Sequence, residues 1–447
     1  MTLVSHGFAG IGARLAAGTL CLALLATAAC AAPSGDAPAS SASAPASHSP
    51  VAADHWVGSW ASAPLDFRQI SPLGTPPPVA PDDRAFPGLT LRQQLQPSVG
   101  GERLRVRFSN RFGTAPLGVT AASVARGTGG GAISPSSLRA LRFDGRPGIV
   151  IAPGAEAWSD GVDFAVEAGQ TLVVSSYYER STPLSTVHLQ PSNATWMSNG
   201  NAVAAARLPE VQRVPVNAFV TGVDVWAPRA IRTVVAFGDS ITAGGLDGEG
   251  GGNSYPQQLA TLLRKGPGSA REVAVLNVGI GGNRLLYGGA GRSGLARFGD
   301  DVLGQSGVTH VIVLMGTNDI GRTAFIGLPG QAVPAGEIPT PEQLEAGLQQ
   351  LVRQARERGL KVLLGTIPPF KGSSYWNEHT EALRGAVNRW IRGRQDVDAV
   401  ADFDAALRDP AQPLALLPAY DSGDHLHPNA AGFTAMAGAV DLQELRE

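Results

Sequence analysis

Thr233-Val234-Val235-Ala236-Phe237 is an unbroken apolar run that stops abruptly at Gly238-Asp239-Ser240-Ile241-Thr242. A strand with one face in water alternates polar and apolar residues. A run without alternation is buried on both faces, as in a parallel sheet covered by helices. Glycine allows a sharp exit from such a strand, and the serine behind it then stands at the sheet's carboxyl edge, where open α/β sheets bind ligands.

Similar apolar runs follow at residues 273–278, 308–315, 361–366 and 399–403. Between them Leu344, Leu348, Leu351, Val352 and Ala355 fall on one helical face, as do Leu383, Val387, Trp390 and Ile391. Gly359 sits where a helix C-cap belongs. Strands interleaved with helices predict an α/β fold over residues 229–447, a flavodoxin-like doubly wound parallel sheet.

Residues 55–228 read differently. Leu104, Val106 and Phe108 alternate with Arg103, Arg105 and Arg107, and Val162, Phe164 and Val166 alternate similarly. Residues 171–178 and 219–226 are further strand candidates. Gly/Pro turns without a long amphipathic helix predict an all-β, sandwich-like domain. The arginine stripe is expected to be a solvated strand face, with an anionic glycan as the other reading.

With 447 residues, 43% hydrophobic and 16% charged, the chain has room for two globular domains. A net charge of −2 gives no electrostatic reason to expect nucleic acid or an anionic membrane as partner. Arg14 precedes an apolar run over residues 15–29 that is short for a membrane span and is followed by small residues. Residues 1–31 are therefore expected to be an export signal, delivering the protein to the periplasm, the cell surface or the medium. Thr27-Ala28-Ala29-Cys30 resembles a lipobox, which would put a lipid anchor on Cys30; ordinary cleavage after Ala28 or Ala31 is the alternative. Residues 32–54, nearly all Ala, Ser, Pro and Gly, read as a flexible tether. Cys21 lies inside the apolar run, so the exported protein would hold no internal disulfide, cysteine nucleophile or cysteine-based zinc site.

Each notable polar cluster of the second domain follows a strand. Asn277-Val278-Gly279-Ile280-Gly281-Gly282-Asn283 can turn backbone N–H groups into a site, and its spacing is not the dinucleotide fingerprint. In Met315-Gly316-Thr317-Asn318-Asp319, the Asn318 amide can donate to a developing oxyanion. In Asp424-His425-Leu426-His427-Pro428, a carboxylate three residues before an imidazole can orient it. Pro428 suits the first turn of a helix over residues 430–440. Nothing pairs His425 with a base's role, so it is read as a surface residue. Ser240, His427 and Asp424 have the chemistry of an activated hydroxyl nucleophile. Singly, each cluster is an ordinary turn or cap. The Gly-x-Ser-x-Gly elbow is absent, because Thr242 occupies its last position.

In this order at successive strand ends, the clusters resemble the sequence blocks of the SGNH, or GDSL-type, hydrolase superfamily, from about Arg232 to the C-terminus. Ile241 stands where the family usually has leucine. The resemblance implies Ser240 as nucleophile, with Asp424 and His427 completing the triad. It also implies an oxyanion hole formed by Ser240, Gly282 and Asn318. The implied reaction is carboxylic ester hydrolysis through an acyl-enzyme, with no metal or cofactor. The appended β domain is similar to that of bacterial GDSL esterases of plant cell-wall breakdown, which implies an acetylated polysaccharide such as xylan or pectin as substrate. The alternatives are a lipase, arylesterase or lysophospholipase, a glycan O-acetyltransferase, and an inert glycan-binding surface protein. Residues 322–339, rich in Gly and Pro, are expected to overhang the site, with Phe325, Ile326 and Leu328 as candidate acyl-pocket residues. The oligomeric state and the role of the β domain stay open.

Overall fold

The computed structural model describes residues 54–446, apart from 70–87, 181, 190–193, 215, 245–252, 266–272 and 327–332. The export signal, Cys30, Leu328 and all but the last residue of the tether lie outside the described residues.

Strands Arg232–Gly238, Val273–Asn277, Val308–Leu314, Lys361–Gly365 and Ala399–Ala401 form one parallel sheet, ordered second, first, third, fourth, fifth. This is the flavodoxin-like order, with its crevice beside the first strand. The pleat explains the lack of polar alternation. Val234, Ala236 and Ile312 pack against Tyr255, Leu259, Phe433 and Met436, from helices Tyr255–Lys265 and Ala430–Gly438. Val235, Phe237, Val311 and Val313 belong to the cluster holding Leu344, Leu348, Leu383 and Val387, from helices Pro341–Glu357 and Glu378–Arg392. Reciprocal side-chain caps start both latter helices, Thr340 with Gln343 and Asn377 with Thr380. Gly359 takes the left-handed turn after the first of them, at φ 71°. The last helix is capped by Asn429, which accepts from Ala431 N and Gly432 N, so Pro428 stands one residue outside the cap rather than in the first turn.

Among the described residues, the stretch before Pro228 holds strands and short 3-10 turns but no α-helix. One antiparallel sheet runs His55–Ala61, Val220–Ala227, Gly101–Ser109, Glu156–Trp158, with Val162–Val166 also paired to Gly101–Ser109. Another includes Thr195–Asn199, Leu89–Leu95, Leu172–Tyr178 and Ala121–Gly129 in that order. Leu104, Val106, Phe108, Leu95 and Val174 share one apolar cluster with Leu276, Val278 and Phe298 of the α/β part. The two parts therefore share a core.

The arginine stripe is neither solvated along its length nor free for a glycan, because the connection after residue 298 docks onto it. Arg105 lies between Trp56 and Trp158, 4.7 and 4.3 Å from the ring centroids. It donates to Asp224 at 2.9 and 2.7 Å and to Ser306 Oγ at 3.3 Å. Arg107 is buried and reaches Gln305. Only Arg103 remains largely open, pairing with Asp163. Backbone contacts reinforce the junction: Gly58 N donates to Ser306 O at 2.9 Å and Val275 N to Ser98 Oγ at 3.0 Å.

Asp224 anchors this junction by accepting from Arg105 across the strand pair and from Ser306 Oγ at 2.6 Å. Removing one member of a buried pair leaves the other uncompensated. Asp224→Ala is expected to lower unfolding free energy by about 3 kcal/mol in urea titrations. A loss below about 1 kcal/mol, the scale of an exposed pair, would contradict this account.

Candidate active site

The first strand ends at Gly238, where a Cβ would lie 2.0 Å from Thr242 Oγ1 and 2.7 Å from Leu314 O. Only glycine fits there. Asp239 then caps a one-turn helix, Ser240–Ala243, by accepting from Ile241 N at 3.0 Å. The second strand's exit presses on this helix from the side. A Cβ on Gly279 would fall 2.3 Å from Ala243 N, while Asn277 Nδ2 donates to the carbonyls of Thr242 and Ala243. Close backbone approach, rather than a phosphate cradle, accounts for that glycine.

Ser240 Oγ lies 2.7 Å from His427 Nε2, and His427 Nδ1 lies 2.5 Å from Asp424 Oδ2. Asp424 Oδ1 also accepts from His427 N at 2.8 Å and Leu426 N at 3.0 Å. Burial pushes the Asp424 carboxyl up, but hydrogen bonds from the His427 side chain and backbone outweigh it and bring the group down to about 2. An ionised carboxylate only accepts, so Nδ1 carries the imidazole proton and Nε2 is left to accept from the Ser240 hydroxyl.

The glycine loop and the third strand's exit meet beside Ser240. Gly282 has φ 71°, which excludes most side chains. Asn318 Nδ2 donates to Asn283 O at 2.9 Å, while Tyr375 Oη donates to Asn318 Oδ1 at 2.9 Å. Burial pushes the Tyr375 hydroxyl up to about 12, so it keeps its proton. The two bonds fix the amide's orientation and leave its second N–H for a ligand. Asp319 accepts from Leu285 N at 2.7 Å and Leu286 N at 3.0 Å, pinning the glycine loop to the third strand.

The structure thus brings Ser240, His427, Asp424, Gly282 and Asn318 to one sheet edge. Tyr375 went unnoticed in the sequence because it follows the fourth strand's exit within no recognisable pattern. The only local hint is Gly321, where a Cβ would strike the Tyr375 ring at 1.9 Å. His425 departs from expectation: its Nδ1 lies 2.5 Å from Asp421 Oδ2, and its backbone sits at φ 61°. It is a second, exposed carboxylate–imidazole pair two residues from the first. Of the overhanging segment, Arg322–Phe325 is a 3-10 turn, Phe325 meets the Tyr375 ring edge-on at 5.8 Å, and Ile326 is exposed.

A Ser–His–Asp constellation at the carboxyl edge of a parallel sheet is the arrangement of a serine hydrolase. Residues 236–435 match the GDSL-like lipase/acylhydrolase family. That part of the chain belongs to this family and has the SGNH/GDSL fold, and the protein is a carboxylic ester hydrolase. No curated protein matches the chain significantly. Among solved structures, the chain is similar to a putative lipolytic protein of the G-D-S-L family from Desulfitobacterium hafniense DCB-2, at 21% identity over 46% of this chain and 96% of that one, with TM-score 0.34. It is also similar to Axe2, an acetylxylan esterase from Geobacillus stearothermophilus, at 25% identity over 48% and 93%, with TM-score 0.36. A third is LAE5, an α/β hydrolase enzyme from the metagenome of Lake Arreo, Spain, at 25% identity over 46% and 92%, with TM-score 0.36.

Two expectations follow from this geometry. Tyr375→Phe keeps the ring but frees the Asn318 amide, and should lower kcat about tenfold with little change in KM, short of the ~10²–10³ of losing a whole oxyanion donor. An unchanged kcat in steady-state assays would refute the orienting role. Burial also pushes the Asp239 carboxyl up to about 6. A raised carboxyl contributes stability that is complete below its unfolded value near 3.9 and is lost as pH rises through 6. Asp239→Asn keeps an acceptor for Ile241 N, so its thermal midpoint should fall less than the parent's between pH 4 and 7. Identical slopes would assign the titration elsewhere.

Proposed function

We propose that the protein is an exported serine esterase that removes short acyl groups, above all acetyl, from a polysaccharide such as xylan or pectin. The single observation carrying the esterase mechanism is the continuous Ser240–His427–Asp424 hydrogen-bond line. His427 Nε2 takes the Ser240 proton as Oγ attacks the ester carbonyl. The oxyanion is held by the N–H groups of Ser240 and Gly282 and by the Asn318 amide. His427 then gives the proton to the departing alkoxide, leaving acyl-Ser240 and the free alcohol. Water, deprotonated by His427, attacks the acyl group and releases the acid while Ser240 recovers its proton. Asp424 holds the imidazole's orientation and balances its charge throughout.

Two features support the substrate reading. On the oxyanion side the Tyr375 and Phe325 rings are packed edge to face, a rigid boundary that favours a short acyl group. On the leaving-group side the Asp424 side chain is 49% exposed and the His425 side chain 55%. An open polar rim suits a hydrated, polymeric alcohol better than a lipid. Export, with or without a lipid on Cys30, would bring the enzyme to such a polymer, and rests on the N-terminal sequence.

Acetate release from acetylated xylan and pectin, run beside a synthetic ester series, tests this reading. Acetyl esters should be preferred, and Ser240→Ala should lose about 10⁴-fold or more in kcat. Preference for chains of eight or more carbons would favour a lipase, and transfer to added glycans exceeding hydrolysis an O-acetyltransferase. Glycan retention without hydrolysis would leave an inert binding protein.

A further inference from the structure

Arg297 is almost fully shielded from water, on the short helix Gly294–Phe298 behind the nucleophile. Its Nη2 donates to Gly238 O at 2.7 Å and its Nη1 to Val278 O at 2.8 Å. Its Nε donates to Asn283 Oδ1 at 2.8 Å. These acceptors lie in two of the three backbone segments from which the oxyanion donors are reached, the exits of the first and second strands. Gly238 is two residues before Ser240. Asn283 adjoins Gly282, and its carbonyl receives the Asn318 amide. One cation therefore holds two of these segments directly and the Asn318 segment through Asn283.

Arg297 is in turn held by Asp301. Asp301 Oδ2 accepts from Arg297 Nη1 at 3.0 Å, and both groups are buried. The other oxygen, Oδ1, accepts from Arg111 Nη1 at 3.4 Å, and Arg111 belongs to the β part, just past strand Gly101–Ser109. Arg111 is itself fixed by Glu156 at 2.9 Å. A second line converges on the same residue: Gln305 Nε2 donates to Asp301 O at 3.0 Å, and Gln305 Oε1 accepts from Arg107 Nη2 at 3.4 Å. Without Arg111, a buried carboxylate oxygen would lose its charged donor, a state that is costly unless the carboxylate turns or takes a proton. Either change loosens Arg297.

We infer that Arg111 and Arg297 are positioning residues for ester hydrolysis. The β part reaches through Asp301 to set the geometry of the oxyanion hole. The inference rests on the proposed esterase mechanism and assigns the β part a role within it. Arg297 touches no substrate; it acts by holding the residues that do.

Steady-state kinetics of the full chain on a soluble acetyl ester tests the relay, alongside the rate of serine phosphorylation by an aryl dialkyl phosphate, whose phosphoryl oxygen must enter the oxyanion hole. Arg111→Ala should lower kcat about three- to tenfold and Asp301→Asn more, each with KM within about twofold. Arg297→Met should approach the ~10²–10³-fold of a lost oxyanion donor. Phosphorylation should slow by the same factors, and Arg111→Lys should restore most of the loss. Arg103→Ala, on the same strand face but exposed and ion-paired with the exposed Asp163, should match the parent. If Arg297→Met does not fold, Arg111→Ala and Asp301→Asn decide. Folded Arg111→Ala and Asp301→Asn proteins with parental kcat would overturn the relay alone. So would losses confined to KM, or to thermal stability. A parent protein that neither hydrolyses esters nor reacts with the phosphate would overturn the esterase reading together with the relay.

Discussion

A guanidinium kept from water must satisfy a planar fork of five N–H donors, and it holds in place whatever satisfies them. Arg297 meets that demand with carbonyls at the exits of two adjacent parallel strands, an asparagine in the glycine loop and one carboxylate. Strand exits are loops, and loops are ordinarily the loosest parts of an α/β sheet. Tying them to a single rigid group gives the edge a fixed geometry without many apolar contacts. The face of the guanidinium is used too, 4.1 Å from the centroid of Phe237, which itself packs edge-on against Phe298. Charge, backbone and aromatic packing thus converge behind the nucleophile.

That arrangement changes how the β part is understood. The apolar cluster is continuous from Leu104 and Phe108 to Leu276 and Phe298, and ion pairs cross the same boundary. Buried charges at a boundary bind strongly only when every partner is present. Arg105, Arg107 and Arg111 look outward from the β part yet are completed by Ser306, Gln305 and Asp301 of the α/β part. A module tethered for polysaccharide binding would instead keep its charged face open and its core separate.

Legibility in the sequence followed the range of the interaction. The five parallel strands declared themselves because burial on both faces removes polar alternation, and Ser240, Asn318, Asp424 and His427 because each falls at a strand exit or at a fixed short spacing. The positioning residues were hidden. Arg297 and Asp301 stand four residues apart, a spacing that is ordinary on an exposed helix, and nothing local reveals that a β part will cover them. The arginine stripe was read as solvated for the same reason: alternation shows that one face differs from the other, not what will pack on it. His425 is exposed, as expected of a surface residue, but its pairing with Asp421 was hidden because the two meet across a turn in which His425 itself takes a positive φ. Glycines behaved in both ways. Gly238 and Gly279 marked turns in the sequence, but their actual cause, backbone packed against backbone around Ser240, is tertiary.

The same edge also carries polar groups that ordinary folding would avoid. Asp239 Oδ2, Thr242 Oγ1, Thr317 Oγ1 and Tyr255 Oη are buried without a well-formed hydrogen bond, although Thr242 lies close to Tyr255. Thr317 comes close enough to Asp239 to favour its ionised form, though burial dominates and raises the carboxyl to about 6. Each such group opposes folding by its lost hydration. Their location is informative, since Asp239 and Thr242 flank the nucleophile, Thr317 precedes Asn318, and Tyr255 packs on Phe403 beneath them. An apolar floor would be more stable but would leave Ile241 N without its cap and Ser240 less firmly placed. Stability surrendered at these positions is offset by the shared core of the two parts. On this argument the β part supports the site twice over, through the charge relay that aligns the oxyanion donors and through the packing that allows buried polar ground beneath the nucleophile to persist.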